Sequence, residues 1–183
     1  MTVKEVIITA AGLLELEEKV TAFIGGNADV GAEETAALVR CFNLVENEVA
    51  LDYFPLIAEE TIKTDTGRVA YKDLGKAAVR ILGVKTEVGN AIDYKLYPEY
   101  LSAQPGILVI GYTYTPEKKT LEGTSDFQLV VSERLLAYGV AAEYCFATGY
   151  YEEGEAWNKK YKAALAAAYR STPAKSLRSR RWV

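Results

Sequence analysis

The sequence predicts an α+β fold, mainly α with a β insertion. Three observations predict it. Apolar residues recur at helical spacing from Val3 to Val49, alternate in strand fashion from about Leu56 to Thr115, and return to helical spacing from Gln128 to Arg170. The expected architecture is a bundle of N-terminal helices with a C-terminal antiparallel helix pair. A small antiparallel sheet or sandwich is inserted at about 56–115, and an extended basic tail follows. The matching domains are 1–55 with 124–170 (helical), 56–123 (β insertion) and 171–183 (tail).

Thr2 and Glu5 form a T-x-x-E capping box. Val3, Val6, Ile7, Ala10 and Leu14 follow on one helical face, so a first helix is expected to about Leu16. A short second helix spans Glu17 to Ile24 and breaks at Gly25-Gly26-Asn27. In the loop that follows, Asn27, Asp29 and Gly31 alternate. A calcium loop would end on a bidentate glutamate where Leu38 stands, so the segment reads as a connection. No Gly-Lys-Ser/Thr follows the glycines, which removes a phosphate loop. A third helix, about Ala32 to Tyr53, carries the stripe Leu38, Cys41/Phe42, Val45, Val49. Arg40, Asn43, Glu46 and Asn47 are expected on its other face, and Pro55 stops it.

Strands are expected at Ile57–Thr64, Arg68–Tyr71, Val79–Thr86, Ala91–Tyr97 and Ile107–Thr115, with turns at Thr66-Gly67 and Gly89-Asn90. Ile92, Tyr94 and Leu96 share a face against Asp93 and Lys95. The run ILVIGYTYT is apolar on both faces at its start, as in a central or helix-covered strand. Pro98 and Pro105 confine Glu99–Gln104 to an edge or a loop. Tyr94, Tyr97, Tyr100, Tyr112 and Tyr114 fall in this region. They suit sheet packing and also subunit contact.

Ser125 and Gln128 make a second capping-box pattern, S-x-x-Q, ahead of the helix pair. Val131, Leu135, Tyr138, Ala142 and Cys145/Phe146 give one stripe, which Gly149 ends. Trp157, Tyr161, Ala164, Leu165 and Ala168 give the other. The short corner makes the two helices antiparallel neighbours.

Net charge is −4, unevenly spread. From Arg170 to Val183 there are five basic residues and no acidic one, which leaves −9 to the first 169 residues. The chain has no histidine and no CxxC, so the commonest general base and zinc ligand are missing. Cys41 and Cys145 each fall on an apolar helix face and read as small buried hydrophobes. The pairs Glu17/Glu18, Glu33/Glu34, Glu59/Glu60 and Glu152/Glu153 are adjacent in sequence, so on a helix they do not face each other. Glu33/Glu34 and Glu152/Glu153 suit helix first turns. No G-x-S-x-G is present, and no catalytic residue, metal ligand or cofactor site is assigned. A carboxylate site assembled in three dimensions stays open. No apolar run nears the ~20 residues of a membrane span, and the start lacks a signal-peptide pattern, so an intracellular protein is expected.

Two stretches, LLAYGVAAEYCFATGYYEEGEAWNKKYKAALAA and RCFNLVENEVALDYFPL, carry a resemblance. Their Leu-Leu-x-Tyr-Gly start, Ala-rich continuation, Gly break, acidic turn and Trp-x-x-x-Tyr helix resemble the head–tail connector (adaptor) proteins of tailed bacteriophages and prophages. In the second stretch, a helix leading directly into a small sheet is similar to the same family. The order of helices, sheet insertion, helix pair and basic tail matches it over most of the chain. The resemblance implies a structural virion protein, not an enzyme. It would form a ring of twelve copies on the portal vertex, extend the channel through which the DNA passes, and carry a tail-side neck, stopper or tail component. The implied location is the virion's head–tail interface, with the host cytoplasm before assembly.

The basic tail admits three readings: a solvated chain end, a nucleic-acid contact, or a docking arm. In the adaptor family C-terminal segments reach the portal, and the resemblance therefore implies docking through Lys175, Arg178, Arg180, Arg181 and Trp182. The alternative is a nucleic-acid-binding module, in which the arginines neutralise phosphates and Trp182 stacks a base.

Overall fold

The chain folds as α+β, with five α-helices and two small antiparallel sheets among the described residues. A computed structural model describes residues 1–27 and 29–171. Contacts divide it into two units. One contains Met1–Val45 and the chain from Lys119 on, and the other is Glu46–Lys118. The second unit starts ahead of the strand alternation, which begins at Leu56.

In the helical unit, α1 spans Val3–Leu13, and the Thr2/Glu5 box is fully made. The Glu5 N–H donates to Thr2 Oγ1 at 3.2 Å, and the Thr2 N–H donates to Glu5 Oε2 at 2.7 Å. Val3, Val6, Ile7, Ala10 and Ala11 are buried. The helix stops short of Leu16 because Glu15 takes a φ of +59°. The Leu16 N–H then bonds back to the Ala11 carbonyl at 2.8 Å. Glycine usually fills such a left-handed position after a helix. Helix α2 (Glu17–Ile24) follows at once. Between it and α3 (Ala32–Glu48), Gly31 has a φ of +79°, and a Cβ there would lie 2.2 Å from the Lys19 carbonyl oxygen.

The predicted stripe of α3 is buried throughout. Its other face departs from expectation. Arg40 is exposed and Asn43 and Asn47 are half-buried, but Glu46 is buried. The helix also ends earlier, because Val49–Tyr53 is π-helical, with the Phe54 N–H bonded to the Val49 carbonyl at 2.7 Å. Pro55 keeps the residue before it out of helical geometry, so the last turn widens instead of continuing.

Helix α4 (Glu133–Thr148) does not start at Gln128. Ser125 and Gln128 close a turn instead: the Phe127 N–H donates to Ser125 Oγ, and Gln128 Nε2 donates to the Ser125 carbonyl. Residues 123–125 are already committed. The Val3 N–H bonds the Gly123 carbonyl, the Ser125 N–H bonds the Met1 carbonyl, and Thr2 bridges Thr124. The true N-cap is Ser132, which accepts from the Leu135 N–H. Val131 and Leu136 hold the two hydrophobic-staple positions around it, and both are buried. Helix α4 is buried on more than one stripe, since Leu135, Leu136, Ala137, Gly139, Val140, Ala141, Ala142 and Cys145 are all inside. Gly149, with φ +88°, ends it. Helix α5 (Tyr151–Ser171) buries Gly154, Tyr161 and Leu165 along one side, with Trp157, Ala164 and Ala168 half-buried beside them. Gly154 lies under the Phe146 ring, where a Cβ would come within 2.7 Å.

The β unit contains β1 (Leu56–Thr64), β2 (Arg68–Ala70), β3 (Ala78–Thr86), β4 (Lys95–Leu96), β5 (Tyr100–Ser102) and β6 (Gly106–Tyr114). One sheet has the order β1-β6-β3 and the other β2-β5-β4, all antiparallel. The apolar run from Ile107 is therefore a central strand, as its sequence requires. Two expectations fail here. The strand over Ala91–Tyr97 reduces to Lys95–Leu96 plus a single bridge at Ala91. Tyr100–Ser102 is the middle strand of its sheet, not an edge or a loop. Pro98 and Pro105 both fall outside this three-residue ladder, so neither removes one of its donors.

Both sheets contribute to one apolar core, with Val69 and Leu101 from the small sheet and Ile81, Val84, Leu108, Ile110, Tyr112 and Tyr114 from the large one. Burying each such aliphatic side chain contributes about 1.5–3 kcal/mol. On the other face Glu59 and Lys85 meet across the central strand at 3.1 Å, where Gly111 presents no side chain between them.

Candidate functional site

Within the helical unit the corner between α1 and α2 leaves a cleft of about 670 Å³. Its walls come from five places in the sequence. Leu13, Leu14, Glu15 and Leu16 form the corner, Lys19 and Glu34 come from α2 and α3, Tyr144 and Cys145 from the end of α4, and Tyr150, Glu153 and Trp157 from the start of α5. The left-handed Glu15 puts three leucines and a carboxylate on one short turn. Gly149 does the equivalent on the opposite side, turning the chain so that Tyr150 and the first turn of α5 meet the same space. Tyr150 is 61% exposed and Trp157 is half-buried. Trp157 stacks on Tyr138 with ring centroids 5.8 Å apart, and Lys160 Nζ lies 4.0 Å from its ring centre.

The electrostatics are lopsided. Lys19 Nζ donates to Glu34 Oε1 at 2.7 Å. This hydrogen bond holds the Glu34 carboxyl below the usual carboxylate range and pushes Lys19 up. Glu15 and Glu153 have no ion pair among the described residues, which leaves the cleft net acidic. Burial, aided by Glu34, raises the Tyr144 phenol, and burial, aided by Glu153, raises the Cys145 thiol. Cys145 therefore stays a thiol, and the cleft offers contact surface and negative charge instead of an activated nucleophile. Cys41, also a free thiol, is pushed up to about 11 by burial. Among the described residues no group of three or more His, Cys, Asp or Glu side chains is placed to hold a metal ion, and no helix is long and apolar enough to cross a membrane.

The five residues that the sequence nominates for docking, Lys175, Arg178, Arg180, Arg181 and Trp182, lie outside the described residues. The structure thus neither gathers nor separates them. The cleft itself is missed by the sequence reading. Glu152/Glu153 are in the first turn of α5, where they suit the helix dipole, and Trp157 falls on the apolar stripe. What gives the cleft away is the non-glycine corner LLELEE combined with an acidic turn before a tryptophan. Neither part means much until the fold places them together. Compared with known proteins, the chain matches no protein-family model and no curated protein.

Proposed function

We propose that this chain is a head–tail connector of a tailed bacteriophage or prophage, a structural virion protein and not an enzyme. It forms a ring, taken as twelve copies, on the portal vertex, extends the DNA channel, and joins the capsid to a tail-side neck or tail protein. It acts at the head–tail interface of the virion after assembly from the host cytoplasm. One observation supports the reading above the others. Helix α5 is buried on one side only and runs 21 residues to Ser171, where the basic segment begins. A rigid helix packed on its own unit is a suitable base for an arm that reaches a neighbour. On this reading Lys175, Arg178, Arg180, Arg181 and Trp182 seat on the portal, the arginines on carboxylates and the tryptophan as a buried anchor.

The test is the mass of the full chain, alone and with its portal, by light scattering after size exclusion. A large ring, alone or on the portal, supports the connector. A monomer that ignores portal refutes it. Charge reversal at Arg178, Arg180 and Arg181 is expected to leave the fold intact and abolish co-sedimentation with portal. The concentration of positive charge at the chain end favours a second reading, contact with nucleic acid. It predicts DNA affinity that falls with salt in proportion to the number of tail arginines, and flat polarisation at low salt would remove it.

A further inference from the structure

We infer that the acidic cleft of the helical unit is the seat of this chain's own C-terminal segment, which folds back in cis and places Trp182 against Leu13, Leu16 and Trp157. The inference needs no portal and stands apart from the connector reading.

Charge complementarity is the first argument. The cleft carries Glu15 and Glu153, which have no ion pair among the described residues, whereas residues 172–183 hold Lys175, Arg178, Arg180 and Arg181 and no acidic residue. The second is shape and chemistry. A volume of about 670 Å³ is within the usual range for ligand pockets of about 300–1,000 Å³, and its walls combine leucines with aromatic rings. An indole flanked by guanidinium groups suits such a site: the ring buries apolar area, and the arginines pair with carboxylates at the rim.

Reach decides between a seat on the same chain and one on a second copy. Trp157 lies fourteen residues before Ser171 on α5, about 21 Å along the helix axis. Trp182 lies eleven residues beyond Ser171, a span of up to about 36 Å when extended. The segment therefore reaches back over the helix it leaves. A tether of that length supplies an effective concentration in the millimolar range, far above that of free protein, and so favours the intramolecular seat. Glu15 adds a further sign. A non-glycine residue at φ +59° is strained, and here the strained residue is one of the carboxylates that line the cleft. In this state the tail's anchor is covered, and a partner that takes the tail must compete with the cleft.

The experiment uses the full chain labelled with 5-fluorotryptophan, which gives one fluorine resonance for each of Trp157 and Trp182; Trp182→Phe assigns them. The Trp182 resonance is expected to lie away from its position in urea and to stay there across a hundredfold range of protein concentration. It is expected to move to the urea position in about 0.5 M salt and in the double variant Glu15→Lys/Glu153→Lys. The control Glu117→Lys/Glu122→Lys, with the same charge change outside the cleft, is expected to leave it unmoved. A Trp182 resonance at the urea position in the native chain overturns the inference, as does a displaced one that ignores both salt and charge reversal. Displacement that grows with protein concentration also overturns it, because the contact is then between copies. The salt series needs no variant, so a double variant that fails to fold leaves the test standing.

Discussion

Gly139 and Tyr112 each sit inside the core of their own unit, and they are opposites in size. At Gly139 the helices come so close that an added Cβ would lie 2.6 Å from a Val45 methyl and 3.0 Å from the Tyr161 ring. At Tyr112 the β core accepts a whole phenol, fully buried, and meets its hydroxyl with a hydrogen bond to Glu60. Glu60 in turn accepts from the Gly75 N–H at 2.9 and 3.1 Å. The difference teaches that the two cores fail for different reasons. The helical core is limited by volume and the β core by polar satisfaction.

The strongest way to break that contrast is Gly139→Ala. On an exposed helix the change would stabilise by about 1 kcal/mol. Here overpacking is expected to reverse the sign and cost about 1–2 kcal/mol net, read from urea unfolding followed by circular dichroism. A gain in stability would show that Val45 and Tyr161 yield freely and that volume is not the limit.

Tyr112→Phe probes the other core. Loss of the hydroxyl is expected to cost about 1–2 kcal/mol at neutral pH, since Glu60 loses one of its donors. Burial, then the Glu60 carboxylate, push the Tyr112 phenol up from its ordinary value of 10.0 to about 12. Well below pH 10 the phenol is neutral in both states. Between pH 10 and about 12 the unfolded chain releases the proton while the folded one keeps it, so stability falls as pH rises through that window. Thermal melts from pH 9 to 12 are expected to show this decline, and Tyr112→Phe to make it shallower.

Two smaller changes sharpen the comparison at the surface. Ser132→Ala removes the working cap of α4 and is expected to cost about 1 kcal/mol in thermal unfolding. Glu59→Gln breaks only the exposed pair with Lys85 and is expected to change stability by less than about 0.5 kcal/mol in the same assay. If Glu59→Gln matched Ser132→Ala, the outer face of the large sheet would depend on charge more than its exposure allows.

Ser125/Gln128 and Thr2/Glu5 show how far the sequence could be read. Both pairs fit a capping box, and both lead into apolar helical spacing. The first pair did not start a helix, because Met1, Thr2 and Val3 hold residues 123–125 extended. Nothing local signals that clamp, since its partner lies about 120 residues away. Periodicity points Glu46 outward, yet it is buried, again through packing that its own helix does not encode. Strands with long registers, such as Leu56–Thr64 and Gly106–Tyr114, were legible because nine residues of pattern resist accident. The two-residue β4 and three-residue β5 were not, since pairing that short is set by the neighbouring strands. The cleft was illegible for a related reason. It needs Glu15 in a left-handed turn, a conformation that sequence assigns by default to glycine.

The side chain of Asn43 has a use beyond its place on α3. Its Oδ1 accepts from the Lys119 N–H at 2.6 Å, and its Nδ2 donates to the Lys119 carbonyl at 3.0 Å, so one amide imitates a paired strand. The chain that departs after Asn43 is thereby fastened where it returns, like a purse drawn shut. Enlarging such a closed excursion carries little entropic penalty, about 0.6 kcal/mol for each doubling of its length. The segment between these two residues is thus a cassette. Its loops can be lengthened, trimmed or exchanged while the drawstring, and Val45 against Gly139, stay as they are.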